Sequence, residues 1–293
     1  MTPMQLEGLV ATELERAAGG IRPVGRGRWS FDLVNGRRLP GQAAWQEGWL
    51  ELRIPLPFSE PSDPTLPWTL LEENRGLDGV ARFVHRENRT VLQAEMAISD
   101  PALVSPRLAA ACESLRLADA VRNGKPRRKA QESTAPIEAE PEPAWEQLGA
   151  ERGWWLTRRD DHRLGVELDA PGLMNQAFLE ERDSEHVVAI ELLRSAALPL
   201  RCRRAVAVFL LSLTGRLRLV RATVGRQEPE AVRLEVVLPS APWVTAVELD
   251  LSLEALSLAC RLGSREVRAL GQEPPARIYL AQVTKEEANG TDA

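Results

Sequence analysis

Reactive side chains are scarce in this sequence: its 293 residues include 3 His, 3 Cys and 1 Tyr. Few groups remain for acid–base, nucleophilic or metal chemistry. Lysine is almost as rare. Lys125, Lys129 and Lys285 are the only three, against 34 arginines, and all fall in polar stretches that read as linker or tail. A Schiff-base lysine or a P-loop lysine inside a folded domain is thereby excluded. No cofactor and no catalytic residue is expected.

Long apolar runs are also missing. The longest, Ala205 to Leu211, is far short of the roughly 20 residues needed to span a bilayer. The first residues, Met-Thr-Pro-Met-Gln-Leu-Glu-Gly, lack the basic flank and apolar stretch of a secretory signal, so a cytoplasmic protein with no membrane partner is expected. Cys112, Cys202 and Cys260 are odd in number, widely spaced and set among apolar neighbours, which suits buried thiols in a reducing compartment. Basic excess is absent too. The net charge is -5 and arginine is spread evenly, so neither half carries the footprint of a nucleic-acid binder.

What is present is order on a larger scale. Residues 123–144, NGKPRRKAQESTAPIEAEPEPA, hold Ile137 as their one bulky apolar residue and read as a flexible linker, basic first and acidic second. Residues 284–293 read as a disordered polar tail. The same sequence of elements recurs on either side of the linker, in units 1–122 and 145–283. In the first, Thr65 to Asn74 reads as a helix, Val80 to His85 and Thr90 to Ile98 as strands, and Ala102 to Val121 as a helix. In the second, Leu200 to Leu213, Leu217 to Val224, Ala231 to Leu238 and Val244 to Leu270 repeat that order. Leu71, Gly76 and Arg82 precede Leu210, Gly215 and Arg221 by about 140 residues, as Glu95, Met96 and Ile98 precede Glu235, Val236 and Leu238. Upstream, Trp29 to Val34 and Trp49 to Leu56 alternate as strands, as do Trp154 to Arg158, Arg163 to Leu168 and His186 to Leu193. A short helix opens each unit, at residues 3–18 and about 144–151. Each unit therefore reads as α-βββ-α-ββ-α, an α+β arrangement.

At LLEENRGLDGVARFVHRENRTVLQAEMAISDPALVSPRLAAACESL the chain resembles the type III secretion chaperone-like fold, including the bacterial sensory-transduction regulators of that superfamily. Leu70, Leu71 and Asn74 close the central helix in the manner of the family, and the polar turn Glu87-Asn88-Arg89 joins the two strands. The second unit keeps this rhythm but has Leu213 in place of the Asn. The resemblance implies small domains that dimerise and bind protein segments, as chaperones or regulators, without catalysis.

Two such units in one chain imply a monomer with an internal pseudo-dimer. The run AVAVFLLSL, Ala205 to Leu213, is apolar almost all round, so its second face needs a cover. Trp68, Leu71, Val206, Phe209, Leu210 and Leu213 are expected at that contact. The eight tryptophans, of which Trp29, Trp45, Trp49, Trp154 and Trp155 lie in strand regions, either fill the core or form an aromatic surface for a partner segment. The expected function is a non-enzymatic interaction module, chaperone-like or regulatory, for a protein partner of unknown identity. The alternative is a small-molecule or metal-dependent catalytic domain using Asp160, Asp161, His162 and His186, though a polar hairpin tip explains the first three more simply.

Overall fold

The structure, a computed structural model, describes residues 2–56, 63–86, 89–98, 100–123, 145–160, 163–168, 177–182, 185–194, 198–225, 231–239 and 246–290. The chain opens with α1 (Pro3–Ala17), started by a capping box in which Thr2 and Gln5 satisfy each other's backbone N–H and by Pro3 in the first turn. Four strands follow: β1 (Arg22–Gly25), β2 (Arg28–Val34), β3 (Arg38–Gln46) and β4 (Trp49–Pro55). Then come α2 (Leu66–Arg75), β5 (Arg82–Arg86), β6 (Arg89–Ala97) and α3 (Val104–Arg122). From residue 145 the order is α4 (Trp145–Glu151), β7 (Leu156–Asp160), β8 (Arg163–Val166), β9 (Ala177–Arg182), β10 (Glu185–Arg194), α5 (Leu200–Arg216), β11 (Arg221–Val224), β12 (Ala231–Pro239), α6 (Ala246–Leu270) and α7 (Glu273–Gly290).

The molecule is α+β, with two antiparallel six-stranded sheets. One runs β1-β2-β3-β4-β6-β5 and the other β7-β8-β9-β10-β12-β11, so corresponding strands occupy corresponding places. Burial follows from what covers each strand. On β2 and β4 buried and more exposed residues alternate, with Phe31, Leu33, Leu50, Leu52 and Ile54 turned inward, as expected for a sheet with one wet face. Strand β6, in contrast, is buried along nearly its whole length, because α3 packs on it and its neighbour β5 meets α5 from the second half.

That meeting sets the architecture. Helix α2 packs closely on β11, α5 packs on β5, and the two helices pack on each other. Gly215 makes the approach possible: a methyl group there would run into the backbone oxygen of His85 on β5. The apolar girth of α5 is explained by four neighbours at once, β5 and α2 of the first half and α6 and α7 of its own.

Two expectations need correction. Four strands, not three, precede each central helix. Strand β1 is four residues long with every residue exposed, and β3, although it alternates in burial, turns the small residues Gly41 and Ala43 inward after Leu39, so neither shows an apolar period-two signal in the sequence; β9 groups Ala177, Phe178 and Leu179 ahead of Glu180, Glu181 and Arg182 and does not alternate either. Second, helix α7 runs through Gly290 where a polar tail beginning at residue 284 is expected; its apolar residues sit in the part that docks on α5 and α6, and its polar end prolongs the same helix.

Candidate functional site

Where the halves meet, each contributes a buried arginine and a buried glutamate from adjacent strands. Arg82 on β5 and Glu95 on β6 pair at 2.5 Å, with side chains 1% and 6% exposed. Arg221 on β11 and Glu235 on β12 pair at 3.4 Å, with side chains 3% and 0% exposed. Strand pairing brings each couple to one face: Arg82 lies opposite Gln93, two residues from Glu95, and Arg221 lies opposite Glu235 itself.

Both arginines also reach across the seam. Arg82 donates to the backbone oxygen of Leu217 at 3.2 Å, and Arg221 donates to that of Leu77 at 3.0 Å. Glu95 accepts from the Leu219 N–H at 3.1 Å, and Glu235 accepts from Arg75 of α2 at 3.2 Å. Buried charges of this kind are tolerable only when paired and hydrogen-bonded, a condition each half satisfies using atoms of the other. Asn74, fully buried at the end of α2, accepts from the Phe83 N–H at 2.6 Å and donates to the oxygens of Phe83 and, across the seam, Ala222.

Two turns with left-handed backbone flank the ion pairs. Gly79 has φ +74° and donates its N–H to Glu185 of the second half; Leu219 has φ +66° and donates to Glu95 of the first. A glycine suits the first position, since a Cβ there would press on the Ser114 side chain. Leucine at the second holds a conformation that costs roughly 1–2 kcal/mol for an L-residue, and strain of this kind gathers where function requires a fixed backbone.

Between these turns and the closing helices α3 and α6 lies a cleft of about 280 Å³. Its floor is apolar, built from Val80, Met96, Ala97, Leu219, Val237 and Leu238. The walls carry Ala110, Ala111 and Leu117 of α3 and Leu251 of α6. Asp78, Glu113, Glu185 and Glu248 contribute carboxylates, and Arg107 bonds both the Ala97 oxygen and Glu248, tying α3 to α6.

The residues expected at the central contact are distributed over both sides of α5. Trp68 is 5% exposed, with the Arg203 guanidinium 5.3 Å from its ring centre, and that pair links α2 to α5. Leu71, Val206 and Leu210 are fully buried. Phe209 meets Tyr279 of α7 edge-on at 6.2 Å, and Leu213 lies against Gly263 of α6, so this pair serves the junction with the outer helices.

The tryptophans do not gather on one surface. Trp29 is buried in the first sheet, Trp49 is covered by Arg218 of the second half at 4.7 Å, and Trp45 packs partly buried on the core. Trp154 donates to Asp250 of α6 at 2.7 Å, and Trp155 is 75% exposed. Asp250 has its carboxyl pushed up by burial, but the Trp154 indole and the Arg152 guanidinium outweigh this and hold it below the usual carboxylate range. The alternative polar cluster is not assembled by described side chains. Asp161 and His162 lie outside the described residues, as does the Asp160 side chain, while His186 is buried edge-on to Trp145 at 4.7 Å. Among the described residues no group of three or more His, Cys, Asp or Glu is arranged to hold a metal ion. The three cysteines are buried, and burial pushes the Cys112 thiol up to about 11.

Sequence reading missed the cleft, although its register had aligned Arg82 with Arg221 and Glu95 with Glu235. The usable signal was charge inside otherwise apolar strands, repeated at nearly the same spacing in the two halves. No helix among the described residues is long and apolar enough to cross a membrane. No family model and no curated protein matches the chain. Among solved structures, a similar one is YbjN from E. coli, described as a candidate transcription regulator, with 17% identity and a TM-score of 0.32, covering 41% of this chain and 89% of that one. A likeness at that level assigns no function.

Proposed function

We propose that this protein is a non-enzymatic interaction module, regulatory or chaperone-like, built from two type III secretion chaperone-like units joined as an internal pseudo-dimer, and that it binds a segment of a partner protein. The apolar cleft at the seam carries this reading. It lies between the corresponding helices α3 and α6, and its Arg107 and Glu95 are already engaged in ion pairs. Such a site offers shape and apolar area, the features by which grooves take protein segments. The cross-seam bonds of Arg82 and Arg221 support the pseudo-dimer, since each half satisfies the other's buried charge.

A photocrosslinking residue in place of exposed Ala110, at the cleft, and another in place of Val24, 63% exposed on β1, tests the reading in the native cell. The expected outcome is a discrete protein adduct from position 110 that is absent from position 24. Equal labelling from both positions, or none from 110, would overturn the proposal.

A further inference from the structure

We infer that α6 pairs with the α6 of a second copy of this chain, the two helices running antiparallel along an apolar seam bordered by Glu254 and Arg261. Spacing is the first observation. Leu251, Ala255, Leu258 and Leu262 follow one another at intervals of four, three and four residues, the alternation of a coiled-coil seam. They lie opposite the buried row Leu249, Leu253, Leu256, Cys260 and Val267, which packs on the chain's own core. Leu258 and Leu262 are 40% and 50% exposed, and Leu251 and Ala255 are partly exposed. A single leucine on a surface is ordinary, but a row at this spacing is a contact face. The helix is already held by its own half, so pairing carries no cost of helix nucleation.

Charge selects the occupant. Glu254 and Arg261 are both exposed, and each immediately precedes a seam residue, Ala255 and Leu262, so they border the seam on the same side. Neither has an ion-pair or hydrogen-bond partner for its side chain among the described residues, so both charges are available. A second α6 turned about a two-fold axis near Leu258 places its Arg261 against Glu254 and its Glu254 against Arg261. Two identical ion pairs then border a seam in which Leu258 meets Ala255 and Leu251 meets Leu262. Parallel helices would instead set Glu254 against Glu254 and Arg261 against Arg261, and would align their dipoles unfavourably. A helix of another protein would need the same seam with its charges in reverse order; this helix supplies that by turning around. Of these residues Leu251 alone also lines the cleft, so the pairing goes beyond the reading of the cleft and can fail independently of it.

Sedimentation velocity of the intact protein reads the association. A contact of one helix from each copy is at the small end for protein interfaces, so a dimer is expected at about 10 to 100 μM. Growth should stop at two copies, because a contact of this symmetry closes. Leu258→Glu, at an exposed position beside the axis, should leave the chain monomeric with its circular dichroism unchanged. Glu254→Arg or Arg261→Glu turns two attractions into repulsions and should raise the dimer dissociation constant about tenfold. The double swap in one chain should restore the native value, and so should mixing the two single variants in equal amounts. That recovery separates lost pairing from lost folding. A native chain that stays monomeric over this range, a dimer that either swap leaves unchanged, losses that the double swap fails to recover, or growth past two copies overturns the inference.

Discussion

The two halves treat the same position differently at the end of their central helices. The first ends α2 with Asn74, whose amide spans the seam; the second has Leu213 there, turned toward Gly263 of α6. Their ion pairs, by contrast, are kept in both, Arg82 with Glu95 and Arg221 with Glu235. The ion pairs are matched in both halves, whereas at the end of the central helix the first half bonds across the seam through Asn74 and the second packs Leu213 on its own α6. The same logic explains composition. Helix α2 carries Glu72 and Glu73 at partly exposed positions, whereas α5 is covered on both sides and can be apolar nearly all round.

The comparison can be broken most severely at the buried charges. Glu95→Ala and Glu235→Ala each strand an arginine in the interior, and each should cost about 3–5 kcal/mol in urea unfolding. Because the pairs play corresponding parts, the two losses should be of similar size; a large cost for one and none for the other would remove the equivalence. Asn74→Leu, which copies the second half into the first, is next. It leaves the Phe83 N–H without its side-chain acceptor, at about 1–3 kcal/mol for a buried group left unpaired, and the thermal midpoint should fall accordingly.

The smallest expected effect lies at the outer edge of the second half. The carboxyl of Asp250 is held below its usual range by Trp154 and Arg152. Its folded value therefore lies under the unfolded one, so its contribution is complete above the ordinary aspartate range and is lost as pH falls through the folded value. Between about pH 5 and about pH 2, the stability difference between the native chain and Asp250→Asn should shrink toward zero. A difference that grows with acid would contradict the assigned direction.

Much of this design was legible in the sequence because helices and half-buried strands have periods. The central and closing helices, β2 and β4 carry such patterns, and β6, β10 and β12 stand out as apolar-rich runs despite being buried along most of their length. Strands β1, β3 and β9 did not: β1 is an exposed edge, β3 buries the small residues Gly41 and Ala43, and β9 groups its apolar residues ahead of its charged ones. The cleft was beyond reach for a different reason. Its walls come from α3 and α6, more than 120 residues apart, and their approach depends on packing that no local pattern encodes. Phe209 and Leu213 illustrate the same limit: an all-apolar helix says that every face is covered but not by which neighbour.

The proposed internal pseudo-dimer is tested most directly by cutting the chain between its halves. A protease site introduced between residues 126 and 142 allows cleavage of the folded protein, followed by size-exclusion chromatography under native conditions. The two fragments should elute together at the position of the uncut chain, held by the paired arginines and the packing of α2 and α5. Fragments that separate and each remain folded would contradict the account.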